Sequence, residues 1–202
     1  MPAKKTSAPQ DIYQIKVTLL GASPPIWRRL VVRADVTLAY LHNVLQVAMG
    51  WEDCHLHEFR IGQKRFGTPD PDDRLMGIEP VSNERTVPLS SVLGRVGAKA
   101  TYTYDFGDGW EHGMVLEKRL PADPNLTYPL CTGGQRACPP EDCGGIGGFY
   151  NLLDIIGDPN HEEHEEMLDW VGGDFDPEAF SLDDVNRTLT RFQRRRGKAS
   201  RD

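Results

Sequence analysis

One short stretch of the chain, residues 101–118, concentrates side chains that could do chemistry. Its sequence, TYTYDFGDGWEHGMVLEK, places acids, a histidine, a tryptophan and two tyrosines around a Gly-Asp-Gly turn. Carboxylates and imidazole serve as general acids and bases, and also as ligands for divalent metals. The alternative is a core hairpin with aromatic side chains on one face and charges on its wet face. The candidate functional residues of this stretch are Asp105, Asp108, Trp110, His112 and Glu117.

A second cluster of reactive side chains lies in the segment CTGGQRACPPEDCGGIGG, residues 131–148. Its cysteines have the spacing C-x6-C-x4-C, whereas structural zinc sites usually contain pairs separated by two to four residues. Thiolates of this loop together with His112 predict zinc or another divalent metal, and the alternative is buried thiols beside turn glycines. The candidate ligands and acids of the loop are Cys131, Cys138, Cys143, Glu141 and Asp142.

Other motifs give weaker indications of chemistry. The sequence HLHEF places His55 and His57 on one face of a possible strand, with Cys54 alongside, and is a second candidate metal site. In HEEHEE the two histidines are three residues apart, so the segment does not match the zinc-protease pattern H-E-x-x-H. No Ser-His-Asp order, dinucleotide-binding fingerprint or phosphate-binding loop is present.

The hairpin must position the first set of candidates. A three-residue loop at 107–109 would be a type I turn followed by a left-handed glycine, and it pairs Phe106 with Trp110. That register places an aromatic face in the core, which includes Tyr102, Tyr104, Phe106, Trp110, His112, Met114 and Leu116. It also places Asp105 opposite Glu111, where like charges repel unless they splay into water or share a proton or a cation. A lone histidine on the apolar face is more often a hydrogen-bonded core residue than a ligand.

The hydrophobic pattern predicts strands and helices in separate blocks. Alternation predicts a strand at 12–20, and further short strands are predicted at 27–32, 57–61 and 64–66. Thr37 and Gly50 are suited to cap a helix between them. Three helical segments close the chain at 149–157, 161–172 and 181–195, and residues 121–148 are predicted to be a loop. This order predicts one α+β domain with a mixed or antiparallel sheet.

The predicted domain spans residues 11–192, between a disordered leader at 1–10 and a disordered basic tail at 193–202. The formal net charge is −7 at pH 7, yet seven Lys or Arg stand against one Asp between residues 187 and 202. The rest of the chain is acidic and would repel phosphate backbones, so only the tail is suited to bind nucleic acid. The alternative interpretation of the tail is a solvated helix end. The candidate contacts are Arg191, Arg194, Arg195, Arg196 and Lys198.

Composition indicates the compartment. No apolar run approaches the ~20 residues that span a bilayer. The start, MPAKKTSAPQ, lacks the apolar segment of a secretory signal. The four cysteines are then expected to be reduced thiols. The sequence predicts a cytoplasmic protein with no membrane partner.

Several blocks together resemble the plasmid pRiA4b ORF-3-like family: IWRRLVV, TLAYLHNVLQVAMGW, HLHEF, YDFGDGWEHGMVLEK, ACPPEDCGGIGGFYNLL, HEEHEEMLDW and FDPEAFSLDDVN. They cover roughly residues 11–192 in the expected order. The resemblance implies an α+β domain and residence on plasmids and insertion elements. It marks Trp27, Arg28, Arg29, His42, Trp51, His55, Asp105, Asp108, Trp110, His112, Glu117, Cys138, Pro139, Pro140, Glu141, Asp142, Cys143, Gly144, Gly145 and Trp170, and we expect these to line one cleft.

Two functions follow as hypotheses. The first is a binding or accessory module for a protein or nucleic-acid partner tied to a mobile element, because no recognised catalytic arrangement is present. The second is a metal-dependent enzyme, in the first place a hydrolase, built from the hairpin acids, His112 and the loop around Glu141 and Asp142. A metal-bound water needs open coordination and a nearby carboxylate, which these residues would supply.

Overall fold

The computed structural model describes residues 11–70, 72 and 79–199, with side chains as far as residue 195. The predicted leader at residues 1–10 and the last three residues of the predicted tail lie outside these ranges, as do the side chains of Arg196 and Lys198.

An eight-stranded sheet forms one layer of the fold, with its strands in the order β5-β4-β3-β6-β7-β1-β2-β8. The strands are β1 (Asp11–Leu19), β2 (Ile26–Arg33), β3 (His57–Ile61), β4 (Lys64–Gly67), β5 (Ser82–Asn83), β6 (Lys99–Tyr104), β7 (Trp110–Pro121) and β8 (Leu130–Gln135). Within the described ranges the pairs are antiparallel apart from β4 with β5, which is parallel. The predicted mixed sheet of short strands is confirmed.

Helices supply the second layer. They are α1 (Leu38–Met49), α2 (Leu89–Val92), α3 (Gly145–Gly157), α4 (His164–Trp170) and α5 (Leu182–Ala199). The strand faces of β1, β2 and β7 share one hydrophobic core with α1, with Phe149 of α3 and with Leu189 of α5. The predicted single-domain α+β fold is therefore confirmed. No helix in the described part of the chain has the length and apolar character needed to cross a membrane.

Local sequence explains the clearest helix. The Thr37 side chain accepts a hydrogen bond from the backbone N–H of Tyr40 at 3.2 Å, which satisfies one free donor of the first turn. Gly50 ends α1 in the left-handed region at φ 102°, as a C-cap glycine does. Leu41 and Leu45 are fully buried on the face that meets the sheet. The capping residues predicted for this helix are confirmed.

The last helix extends further than the sequence predicts. The Ser181 hydroxyl accepts a hydrogen bond from the N–H of Asp184 at 3.2 Å, as an N-cap does, and α5 then continues to Ala199. The structure thus has helix at 193–199, where the sequence predicts a disordered tail. Arginine is a good helix former, so the exposed residues Arg194 and Arg195 are compatible with helix at this end of the domain.

Strand β8 is absent from the sequence prediction, which assigned residues 121–148 to a loop. Its residues Thr132, Gly133 and Gly134 have no strand-forming alternation, and β8 is instead held by its partners. It pairs with β2. The side chain of Asn186 on α5 also accepts from the N–H of Cys131 at 2.8 Å and donates to its carbonyl oxygen at 2.9 Å.

The central hairpin has a different register from the predicted one. Tyr104 pairs with Trp110, so the loop comprises residues 105–109 rather than 107–109. The Gly109 N–H donates to the carbonyl oxygen of Asp105 at 2.7 Å, which closes this wider turn. Phe106 is 56% exposed, against its predicted place in the core. Glu111 pairs with Thr103, so the predicted Asp105–Glu111 repulsion does not arise.

A buried arginine joins the sheet to the helical layer. The Arg28 guanidinium is enclosed and donates to the carbonyl oxygens of Ala48, Gln135 and Arg136, each at 2.9 Å. It also stacks on the ring of Phe180, with 4.6 Å between Cζ and the ring centroid. A planar guanidinium suits this role because it offers five donors in a fixed geometry. Arg28 thereby fixes the end of β8, from which the cysteine-containing loop departs.

Candidate metal centre

Three segments that are distant in the sequence meet at His55. They are the connection after α1, the turn between β6 and β7, and the loop between β8 and α3. The Nε2 atom of His55 lies 3.1 Å from Asp142 Oδ1, 3.8 Å from Asp105 Oδ2 and 3.9 Å from Glu141 Oε2. Two ligands of one metal ion lie roughly 3 to 4.3 Å apart, because each bond is about 2.0–2.2 Å long. The three separations fall in that range.

In two of these carboxylates, hydrogen bonds hold one oxygen in place, and the second oxygen faces His55. Glu141 Oε1 accepts from the N–H of Glu52 at 2.7 Å and from the hydroxyl of Tyr104 at 3.1 Å. Asp105 Oδ1 accepts from the N–H of Gly107 at 2.8 Å. Outer hydrogen bonds of this kind orient the first ligands of metal sites.

Two atoms at the centre are buried without a hydrogen bond in the described structure. They are Glu141 Oε2 and His55 Nε2. Asp142 Oδ1 lies 3.1 Å from His55 Nε2, but the two atoms do not have hydrogen-bond geometry. Because an unsatisfied buried polar atom is destabilising, such atoms in native structures indicate a missing water or ion, or a functional role.

Unusual backbone geometry accompanies the cluster. Asp105 and Asp142 have positive φ angles of 53° and 57°, a left-handed conformation that costs free energy for a residue other than glycine. Asp108 joins the two loops, since its Oδ2 accepts from the N–H of Gly144 at 3.0 Å. A Cβ on Gly145 would overlap the carbonyl oxygen of Asp108, so this close approach requires glycine.

The donor atoms form two overlapping triads that share His55. One consists of Cys54, His55 and Glu141, the other of His55, Asp105 and Asp142, and in each the ligand atoms lie within 4.8 Å of one another. Imidazole nitrogen with carboxylate oxygen suits zinc, manganese or iron, and the nearby thiol of Cys54 favours zinc.

Other predicted ligands lie elsewhere. His112 is fully buried in the core beside Tyr102 and Trp51, and its Nδ1 donates to the carbonyl oxygen of Tyr102 at 3.2 Å. Burial lowers the pKa of this imidazole to about 4, so it is neutral at pH 7. It belongs to neither triad of the described residues. The structure therefore separates His112 from Asp105, Glu141 and Asp142, with which the sequence combined it.

The cysteines of the 131–143 segment also stand apart from both triads in the described part of the chain. Burial raises the pKa of the thiols of Cys131, Cys138 and Cys143, in the last case to about 12. A thiol must lose its proton to bind a metal, so this environment does not favour the predicted thiolate ligands.

The remaining marked residues divide between two faces of the sheet. Glu117 forms a bidentate ion pair with Arg29, at 2.7 and 3.1 Å, and also accepts from Gln14. This contact lies on the strand face opposite the core, so Glu117 does not share a cleft with His55. Trp110 packs in the core against Trp51, whose ring also contacts Tyr104. His57 lies beside the centre, with its Nε2 at 2.9 Å from Glu84.

Sequence reasoning missed the residues that support the centre. Tyr104 was assigned only to the aromatic core, yet its hydroxyl binds Glu141 and accepts from the N–H of Cys54 at 3.0 Å. No sequence pattern indicates Asp53, which has a positive φ of 59° two residues before His55. A polar tip on a buried aromatic residue is the one signal that pointed to Tyr104.

Comparison with known proteins agrees with the motifs. The family model described as plasmid pRiA4b ORF-3-like protein matches residues 11–184. A Sinorhizobium fredii protein, called uncharacterized protein y4hQ, is 40% identical over 181 residues, which cover 89% of this chain and 91% of that protein. A crystal structure of a protein of unknown function, MM3350 from Methanosarcina mazei Go1, has a TM-score of 0.78 and 39% identity, covering 88% of this chain and 99% of the other. The chain belongs to the plasmid pRiA4b ORF-3-like family.

Proposed function

We propose that the protein is a metal-dependent hydrolase whose divalent ion is bound by His55, Asp105 and Asp142. The observation that carries this proposal is the pair of buried atoms without a hydrogen bond, His55 Nε2 and Glu141 Oε2, 3.9 Å apart and surrounded by oriented carboxylates. A cation at this point would satisfy the imidazole and neutralise the acids, which otherwise repel one another.

The arrangement also supplies the other requirements of hydrolysis. A divalent ion held there would supply an activated water as the nucleophile at neutral pH. Glu141 Oε2 is held near His55 and is suited to accept the proton of that water. The side chain of Asp142 is 68% exposed, so the centre is open to a substrate on that side.

Metal content is the first test. We expect the protein purified without chelator to carry close to one zinc or other divalent ion per chain, measured by elemental analysis. The variants His55→Ala and Asp105→Asn should carry less than about a tenth of that. An asparagine side chain at position 105 would still accept from Gly107 and tolerate the positive φ, so only the charge is removed. Glu111→Gln, an exposed acid of the same hairpin, is the control.

The assignment of Glu141 is tested separately. Glu141→Gln should retain the metal but lose hydrolysis of a generic chromogenic ester by about a hundredfold, as removal of a general base does. Wild-type protein that binds no metal, either as purified or on titration with zinc and manganese, would contradict the proposal.

The accessory-module function is the second proposal, for a cytoplasmic protein that acts with a nucleic acid of a mobile element. The exposed side chains of Arg191, Arg194 and Arg195 on α5 support it. Deletion of residues 193–202 removes basic residues yet keeps Phe192, which packs on Tyr40. We expect this deletion to weaken binding of fluorescent duplex DNA at least tenfold and to reduce its salt dependence. Unchanged binding would exclude a nucleic-acid arm and leave a protein partner.

A further inference from the structure

A closed ring of hydrogen bonds holds one carboxylate next to the metal centre. The Gln46 amide donates to the hydroxyl of Tyr102 at 2.8 Å, and that hydroxyl lies 2.8 Å from His42 Nδ1. His42 Nε2 lies 2.8 Å from Asp53 Oδ1, and the N–H of Asp53 donates back to Gln46 Oε1 at 2.9 Å. Since the tyrosine has one proton to donate to His42 Nδ1, the neutral imidazole donates through Nε2 to Asp53.

This ring leaves Asp53 rigid and half solvent-exposed. Its positive φ of 59° costs free energy, and the ring offsets that cost by fixing both its backbone and Oδ1. Oδ2 has no hydrogen-bond partner in the described structure, and the side chain is 51% exposed. His42 is further held by a parallel stack on His57, with ring centroids 3.5 Å apart. The fold thus presents one free carboxylate oxygen in a fixed position.

Asp53 lines a recess of about 700 Å³ that also reaches His55. That volume suits a small-molecule ligand. Arg85 lines the same recess and is exposed, and its side chain has no ion pair or hydrogen bond to any described residue. Thr37 and Asn43 add further polar groups. The recess therefore combines a fixed anion, a cation that has no ion pair among the described residues, and a residue of the proposed metal centre.

We propose that this recess binds a small zwitterionic amino-acid derivative, with its ammonium group on Asp53 and its carboxylate on Arg85. Charged hydrogen bonds to the two ends would orient such a molecule, and the guanidinium offers a bidentate pair to the carboxylate. A dipeptide is one substrate of this class, and the recess that would hold it also contains His55. The substrate identity rests on the proposed hydrolase function, whereas binding in the recess does not.

A polyanionic ligand is disfavoured in the same place. Glu84, whose carboxylate meets His57, and Asp53 both line the recess, and the three acids of the metal centre adjoin it through His55. Phosphate groups would meet more negative than positive charge there, and like charges at short range repel. A molecule with one charge of each sign avoids this penalty.

The experiment is calorimetric titration of the chelator-treated full chain with the dipeptide Gly-Leu, its N-acetyl form and its C-terminal amide. We expect acetylation and amidation each to weaken binding at least tenfold in the wild type. Asp53→Asn should abolish the effect of acetylation and Arg85→Gln the effect of amidation. An asparagine side chain at position 53 keeps an oxygen for the His42 N–H and tolerates the positive φ, so the ring survives. The exposed residues Glu111 and Arg95, changed to Gln, are the controls.

The outcomes separate this proposal from the metal centre. Binding of Gly-Leu with these charge dependences supports the recess, even if elemental analysis finds no metal. Absence of Gly-Leu binding by the wild type overturns it, even if the protein carries a metal. Equal binding of all three molecules by the wild type overturns it too. So does an Asp53→Asn variant in which acetylation of the dipeptide still weakens binding.

Discussion

Replacing Gly148 by alanine is expected to displace the loop before α3 and remove the metal centre. A Cβ at this position would overlap the carbonyl oxygen of Cys143, and a backbone atom in that place cannot move aside without carrying the loop with it. Asp142 directly precedes Cys143, and Glu141 precedes Asp142. Overpacking of this kind costs about 3 kcal/mol. We therefore expect a fall of that size in the free energy of unfolding in urea, together with loss of bound metal.

The neighbouring residue provides a matched control. Gly147 lies in the same turn of α3, but a Cβ there would meet no atom within 4 Å apart from its chain neighbours and the backbone of its own helix. Alanine has a higher helix propensity than glycine by about 1 kcal/mol, so Gly147→Ala should leave the protein equally stable or more stable. Equal effects of the two substitutions, or a Gly148→Ala protein that keeps full stability and metal, would show that the loop does not depend on this contact.

Acid should destabilise the protein through His112. In the folded state its pKa is about 4 because of burial, whereas in the unfolded chain the pKa returns to its ordinary value of 6.5. Between these two values the unfolded chain binds more protons, so stability is complete above pH 6.5 and falls as the pH decreases toward 4. This one group contributes a slope of up to about 1.4 kcal/mol per pH unit.

The prediction is measured by urea unfolding between pH 4 and 8 in the wild type and in His112→Gln. Glutamine does not titrate, so the variant should be less stable at pH 7 but lose less stability on acidification. The difference between the two slopes isolates His112 from the other titrating groups. Identical slopes in the wild type and His112→Gln would contradict the burial of a neutral imidazole.

Local sequence signals predicted the elements that depend on them. The caps at Thr37 and Gly50 and the apolar stripe between them define α1, and alternation defines β1, because in both cases neighbouring residues decide the outcome. Strand β8 has no such signal. Its pairing depends on β2 and on the side chains of Arg28 and Asn186, which are distant in the sequence, so only the tertiary structure specifies it.

The hairpin shows a related limit. Side chains alternate with a period of two, so registers that differ by two residues bury the same side chains of β7. The expected burial therefore predicted the core positions of Trp110 and His112 correctly. It could not distinguish a three-residue loop at 107–109 from the five-residue loop at 105–109. The choice depends on Asp105, which turns into the left-handed region and binds Gly107 within its own loop.

The candidate centre was predictable in part. The metal-enzyme hypothesis already combines Asp105 with Glu141 and Asp142, but it adds His112 and leaves His55 to a second candidate metal site. The meeting of His55 with these acids depends on the placement of β3 beside β6 and on Asp108, which joins the hairpin turn to Gly144. Spacing along the chain contains no information about contacts of that kind.

The strand order also determines when the sheet can form during synthesis. β1 lies between β2 and β7. It ends at Leu19, whereas β7 begins at Trp110, so the ribosome must supply residues 20–109 before β1 gains its second neighbour. Until then the β1–β2 hairpin has an open hydrogen-bonding edge, of the kind on which other chains can add a strand. Pairing across so long a separation is slow, so this edge stays open to aggregation while the chain is being synthesised.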